Sequence, residues 1–135
     1  MNRGNEQAHL FPRPRSKAAE DESLLEAACE LPSISDAIYG FHCHQAAEKL
    51  LKALLSELRV TFRHTHDLKH LMDLLVEAET PLPARFDALK ELNAYAVEFR
   101  YDDLPPGIPL DRLATRQLIR ELRTSVESRI PKSVS

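Results

Sequence analysis

Between Phe41 and Leu58 the apolar positions Cys43, Ala46, Ala47, Leu50, Leu51, Leu54 and Leu58 recur mostly at three- and four-residue steps. That is the period of one face of an α-helix. The opposite arc carries Gln45, Glu48, Lys49 and Lys52. Ser35 or Asp36 can cap this helix, which is predicted to run to about Arg59. Some 24 residues of helix span roughly 36 Å. Four further segments carry helical signals. Leu24, Leu25, Ala28 and Leu31 mark an earlier helix, from Ser16 or Asp21 to Glu30, closed by Pro32. Thr65 is placed to cap a third helix, with Asp67 in its first turn. Thr80-Pro81-Leu82-Pro83 ends it near Glu79. A fourth helix is predicted from Pro83 to Phe99, and the Pro/Gly-rich run Asp102 to Pro109 interrupts it. The fifth runs from Leu110 to Arg129 with Leu113, Leu118, Ile119, Leu122 and Val126 inward.

No stretch alternates like a strand, and no segment repeats. The pattern predicts an all-α, up-and-down four-helix bundle with an additional short helix. Residues 17–130 are read as the helical domain, 1–16 as a flexible N-terminal arm and 131–135 as a C-terminal tail.

Composition supports helix and narrows function. The 135 residues match one domain by size and can bury a core without staples. With three glycines and no tryptophan, the chain is rich in alanine, leucine, glutamate and arginine. Cys29 and Cys43 lack metal-type spacing and are expected as buried, reduced thiols. No apolar run reaches membrane-spanning length and no signal-peptide pattern is present, so the expected compartment is the cytoplasm. The net charge of −3 argues against a chain coated for nucleic acid. Its distribution is uneven: residues 17–58 hold eight acids against three bases, and 110–135 six bases against three acids. Within the basic end, Arg112, Arg116, Arg120 and Arg123 form one helical stripe, a candidate anion-binding surface beside Asp111, Glu121 and Glu127.

Three blocks carry a family resemblance: QAAEKLLKALL (Gln45 to Leu55), THDLKHLMDLL (Thr65 to Leu75) and YAVEFRYDD (Tyr95 to Asp103). In order and spacing they resemble the HEPN domain family. The resemblance implies a bundle with the second helix at its centre, whose polar residues face a nucleotide or a partner. Gln45, Glu48, Lys49, Lys52, Arg100 and Asp102 are the corresponding binding candidates. It also implies a nucleotidyltransferase-fold partner, a toxin-antitoxin type of system, and a homodimer. Ile38 and Phe41, apolar on the otherwise polar arc, would suit the dimer interface.

Many HEPN proteins are metal-independent ribonucleases that act as homodimers. Their signature is an arginine followed four to six residues later by a histidine. The arginine would hold the phosphate and the histidine would move a proton. Arg100 is instead followed by YDDLPPGI, without a histidine. Arg100, Tyr101 and His66 are the catalytic candidates that remain, and the chain reads as a binding module first and a ribonuclease second. Arg59–His64 and Arg63–His70 satisfy bare spacings near that of the signature, but in the turn before the third helix.

Smaller signals sit beside these. Glu48 and Lys52 are an i,i+4 pair, worth a few tenths of a kcal/mol on an exposed face. Glu48 is also a candidate ion-pair partner for Arg100. His66 and His70 have a spacing that can present two imidazoles to zinc, but no third ligand is fixed, so no metal and no cofactor is assigned.

Overall fold

The computed structural model describes residues 14–96 and 110–130. Among them are four α-helices, one 3₁₀ helix and no strand. Helix α1 spans Pro14–Ala28, α2 Asp36–Glu57, α3 Leu68–Glu77 and α4 Arg112–Arg129. The 3₁₀ helix spans Ala84–Tyr95.

Helix α2 is the axis of the bundle and packs against each of the other four elements. Its sequence allows this because small residues lie among the leucines. Cys43, Ala46, Ala47, Leu50, Leu51, Leu54 and Leu55 are all fully enclosed. Ser35 caps the helix, its hydroxyl accepting from the Ile38 amide. Around this axis Leu25, Leu68, Leu71, Leu75, Phe86, Leu89, Ile119, Leu122 and Val126 complete one core.

Gly40 brings the 3₁₀ helix close. A Cβ at this position would fall inside the van der Waals envelope of the Tyr95 ring. The fourth element is not the α-helix expected from Pro83 to Phe99. Its apolar residues Phe86, Leu89, Leu92 and Tyr95 recur every third residue, and the first three are buried. An α-helix would rotate such a series steadily off the core, whereas three residues per turn keep it on one face.

Two helix ends share a device. Arg59 and Glu79 follow the C-caps of α2 and α3, and both have φ of 60°. The amides of Val60 and Thr80 reach back to Leu55 and Leu75 at 2.9 Å each, the signature of a Schellman turn. At the start of α3 the cap is Asp67, which accepts from the Lys69 amide at 2.9 Å. The expected cap, Thr65, lies two residues earlier and accepts from the Asp67 amide at 3.1 Å. Asp is the stronger N-cap of the two, and from the position next to the helix its carboxylate reaches the Lys69 amide.

Three apolar residues expected inward face solvent. Leu24, Leu31 and Leu113 are 46%, 47% and 57% exposed. Leu31 lies beyond the end of α1, and on α4 the seam shifts to Ile119, Leu122 and Val126.

Candidate functional site

A polar node lies where α2 meets the turn into α3. Two carboxylates and one imidazole are buried among the described side chains: Glu22, Glu48 and His44. His44 and Glu48 sit four residues apart on α2, on adjacent turns of one face. Glu48 is held from two sides. Lys52 Nζ donates to Oε2 at 2.9 Å, and His66 Nδ1 donates to Oε1 at 2.8 Å. Burial raises the Glu48 carboxyl, but the bonds from Lys52 and His66 outweigh it and leave the group below its ordinary value. The carboxylate is therefore the working form.

The His66 side chain is 54% exposed. Because Nδ1–H is committed to Glu48, the neutral ring carries its lone pair on the outward Nε2. A buried carboxylate that fixes the tautomer of a half-exposed histidine can support proton transfer or ligand contact.

His44 closes the node from within. A carbonyl only accepts, so His44 donates from Nε2 to the His66 carbonyl at 2.7 Å. Its Nδ1 has no hydrogen-bond partner and lies 3.7 Å from Glu48 Oε1. Burial is the main reason that the imidazole is pushed below its ordinary value, so it stays neutral. Asn93 of the 3₁₀ helix braces the same turn. Its Oδ1 accepts from the Leu68 amide at 3.0 Å, and its Nδ2 donates to Asp67 Oδ1 at 2.9 Å.

The candidates read from the sequence distribute as follows. Glu48, Lys52 and His66 come together in the node. Gln45 and Lys49 are half-buried on the same side of α2. Glu48 is bonded to Lys52 and His66. Arg100, Tyr101 and Asp102 lie outside the described residues. Ile38 and Phe41 are half-buried near the start of α2, with Phe41 edge-on to His42 at 5.5 Å. The node also holds two residues that the sequence reading did not select. His44 was legible as an i,i+4 neighbour of Glu48. Asn93 gave no signal, because its role depends on the 3₁₀ path.

The arginine stripe of α4 turns inward. Arg112 donates to Asp36 at 3.0 Å and to the carbonyls of Cys29, Leu31 and Ile34, and its guanidinium lies 4.9 Å from the Tyr39 ring centroid. Arg120 bonds Glu26 at 2.6 Å, and Arg123 binds Glu22. Arg116 Nε is buried without a hydrogen-bond partner. The acids that meet Arg120 and Arg123 come mainly from α1, with Glu127 at 3.5 Å from Arg123 the one contribution from α4 itself. Three of the four cations are thus engaged within the fold, which leaves little of the stripe for an external anion.

A groove of about 500 Å³ opens between the 3₁₀ helix and α4, lined by Leu89, Leu92, Tyr95, Leu110 and Leu118 among others. Among the described residues of its lining, Glu91 and Asp111 are the charged ones. Two carboxylates disfavour phosphate there, so the node and the α2 strip beside it are the better candidate for an anionic ligand.

Among the described residues no group of three or more metal-ligating side chains is arranged to hold a metal, and no helix is long and apolar enough to cross a membrane. Comparison with known proteins adds one finding. The family model described as "HEPN domain" matches residues 16–128, from the first turn of α1 to the last turn of α4. No curated protein and no solved structure matches.

Proposed function

We propose, from the premise that the chain belongs to the HEPN domain family, that it is a non-catalytic helical module that binds a nucleotide and pairs with a nucleotidyltransferase-fold protein in a toxin-antitoxin type of system. At family level the domain is a nucleotide- or RNA-related helical module. The observation that carries the finer reading is the strip Gln45, Glu48, Lys49 and Lys52. It lies on the central helix, half-buried at three positions and buried at Glu48. A merely solvated face would be exposed. A half-enclosed strip with a fixed carboxylate is partly desolvated already and loses less on being covered by a ligand or partner. The absence of a histidine after Arg100 argues for binding over cleavage.

The test is a tagged pull-down from the native host read by mass spectrometry, together with a thermal-shift panel of nucleotides. The expected results are near-stoichiometric recovery of a nucleotidyltransferase-fold protein and a raised melting temperature with one nucleotide. Saturation at a hundred times Kd corresponds to about 2.7 kcal/mol of added stability. Recovery of no such partner, together with no shift at millimolar nucleotide, would overturn the reading.

One observation favours a second reading, the metal-independent ribonuclease acting as a homodimer. It is the Glu48–His66 hydrogen bond, which leaves Nε2 of a half-exposed ring available to take a proton from a ribose hydroxyl. In that reading His66→Ala abolishes cleavage of RNA while the fold survives. Intact RNA after incubation with clean wild-type protein would sink it.

A further inference from the structure

The groove between the 3₁₀ helix and α4 takes its shape from a difference in helical period. Three residues per turn set Ala88, Glu91 and Ala94 in one straight row along the 3₁₀ helix, and all three are exposed. From the N-cap of α4 onward the facing row is Asp111, Ala114, Thr115 and Leu118, which share one face of an α-helix. Alanine at 88, 94 and 114 leaves room between the two walls, and buried Leu89 and Leu92 supply an apolar floor. The walls are fixed at both ends. Arg85 bridges to Glu121 at 3.0 Å at one end. At the other, the Leu110 amide donates to Asp36 at 3.0 Å and the Tyr95 ring packs against Gly40.

The charge of the lining is one-sided. Among the described lining residues Glu91 and Asp111 are acidic and none is basic. Asp111 Oδ1 accepts from the Ala114 amide at 3.0 Å as the cap of α4, and its other oxygen remains open to a second donor. A purely apolar occupant would take both carboxylates out of water without a partner, which is costly. A cation on the occupant satisfies them instead.

The dimensions match a rod. From Ala88 to Tyr95 the 3₁₀ helix rises about 14 Å, and from Leu110 to Leu118 α4 rises about 12 Å. The rim is exposed along that length, so a compact ligand would stay half in water, whereas two to three turns of an α-helix cover it from end to end. We infer that this groove is a docking site for a basic amphipathic helix of a partner protein. Its apolar residues at i, i+3, i+4 and i+7 would lie on the leucine floor, with Lys or Arg on its flanks facing Glu91 and Asp111. A second copy of this chain does not supply that helix. The basic row of its own α4 is engaged through Arg112, Arg120 and Arg123 with Asp36, Glu26 and Glu22. The groove lies apart from the Gln45–Lys52 strip, and the inference does not rest on the nucleotide or the partner proposed for that strip.

The experiment is fluorescence anisotropy with a labelled synthetic peptide of about 12 residues, cross-linked to hold its helix. It carries leucine at the apolar positions, lysine on both flanks and alanine elsewhere. The probe is defined by its chemistry alone, so its failure is distinct from an empty pull-down. Wild-type protein should bind it with a Kd below about 1 mM, and should bind the same peptide with glutamate for lysine about tenfold or more weakly. Glu91→Lys should weaken the lysine probe about tenfold and strengthen the glutamate probe. Ala114→Arg fills the groove from an exposed helical position and barely changes helix propensity, so it should melt as wild type and still lose about tenfold in affinity. Glu77→Lys, exposed on α3, makes the same change in net charge as Glu91→Lys and should bind as wild type. The inference is overturned if the lysine probe does not bind, if the two probes bind alike, or if Ala114→Arg or Glu91→Lys leaves binding unchanged. It is also overturned if Glu77→Lys weakens binding as much as Glu91→Lys. A probe that converts a dimer to monomers in light scattering would give the groove to a second copy and overturn it as well.

Discussion

Glu48 is a carboxylate in a leucine-rich core, and it is stable there only while Lys52 and His66 hold it. Glu48→Ala removes the acceptor and leaves both donors short of a partner, at an expected cost of about 1–3 kcal/mol. Urea unfolding at neutral pH measures that cost, and an unchanged midpoint would mean that the node is ornamental to stability. Acid should reveal the same node in two stages. His44 is held below its ordinary value, so on acidification the unfolded chain takes up that proton first, near pH 6.5. Stability contributed by neutral His44 is therefore present above about pH 6.5 and lost as pH falls towards the folded value. Glu48 is also depressed, so its contribution is present above about pH 4.3 and is lost as pH falls through its folded value. His44→Gln can still donate to the His66 carbonyl but does not titrate. It should flatten the upper stage and leave the lower one. Equal loss of stability between pH 8 and pH 5.5 in wild type and variant would remove His44 as the cause.

At the level of elements, the chain's helix ends and one close approach are open to direct test. Glu79 has a left-handed backbone that glycine adopts without strain, so Glu79→Gly should stabilise the fold by about 1 kcal/mol, read as a raised urea midpoint. Gly40→Ala runs the other way. Helix propensity alone favours alanine by up to about 1 kcal/mol, but the new methyl would meet the Tyr95 ring and push the 3₁₀ helix from α2. The net effect should be a loss of about 1–3 kcal/mol, with a changed environment for Tyr95 by near-ultraviolet circular dichroism. These elements also mark what could be read in advance. Helix α2 was legible because its apolar period, its Ser35 cap and its length agree. The 3₁₀ helix was not, because period three over Phe86, Leu89, Leu92 and Tyr95 passes for an imperfect α-helical stripe until its distance from α2 is known. In the node, Glu48 and His66 were selected from the family blocks, and the pairing between them was not, since nothing in a linear sequence says which turn faces α2. Arg112 was misjudged for a related reason. An arginine at a helix start looks surface-bound, while here it ties the α1–α2 turn through Asp36 and three carbonyls.

Across the whole molecule, the charge asymmetry between the two ends of the chain is largely an internal match. Glu22 and Glu26 of α1 meet Arg120 and Arg123 of α4, so acidic and basic segments neutralise each other along one seam. A fold that cancels its own charge in this way does not use that seam to recruit partners, and association has to draw on other surfaces. Ile38 and Phe41, half-buried near the start of α2, are the residues proposed for contact with a second copy. Apolar side chains that the monomer covers only in part gain most from burial by a partner, at about 25 cal/mol for each Å² removed from water. Phe41→Asp puts a charge into that contact and should shift the protein from dimer to monomer in size-exclusion chromatography with light scattering. Far-ultraviolet circular dichroism checks that the helices persist. Because Phe41 is on the axis helix, a variant that stays helical and becomes monomeric separates association from folding. A variant that stays helical and keeps the dimer mass would place the interface elsewhere on the bundle.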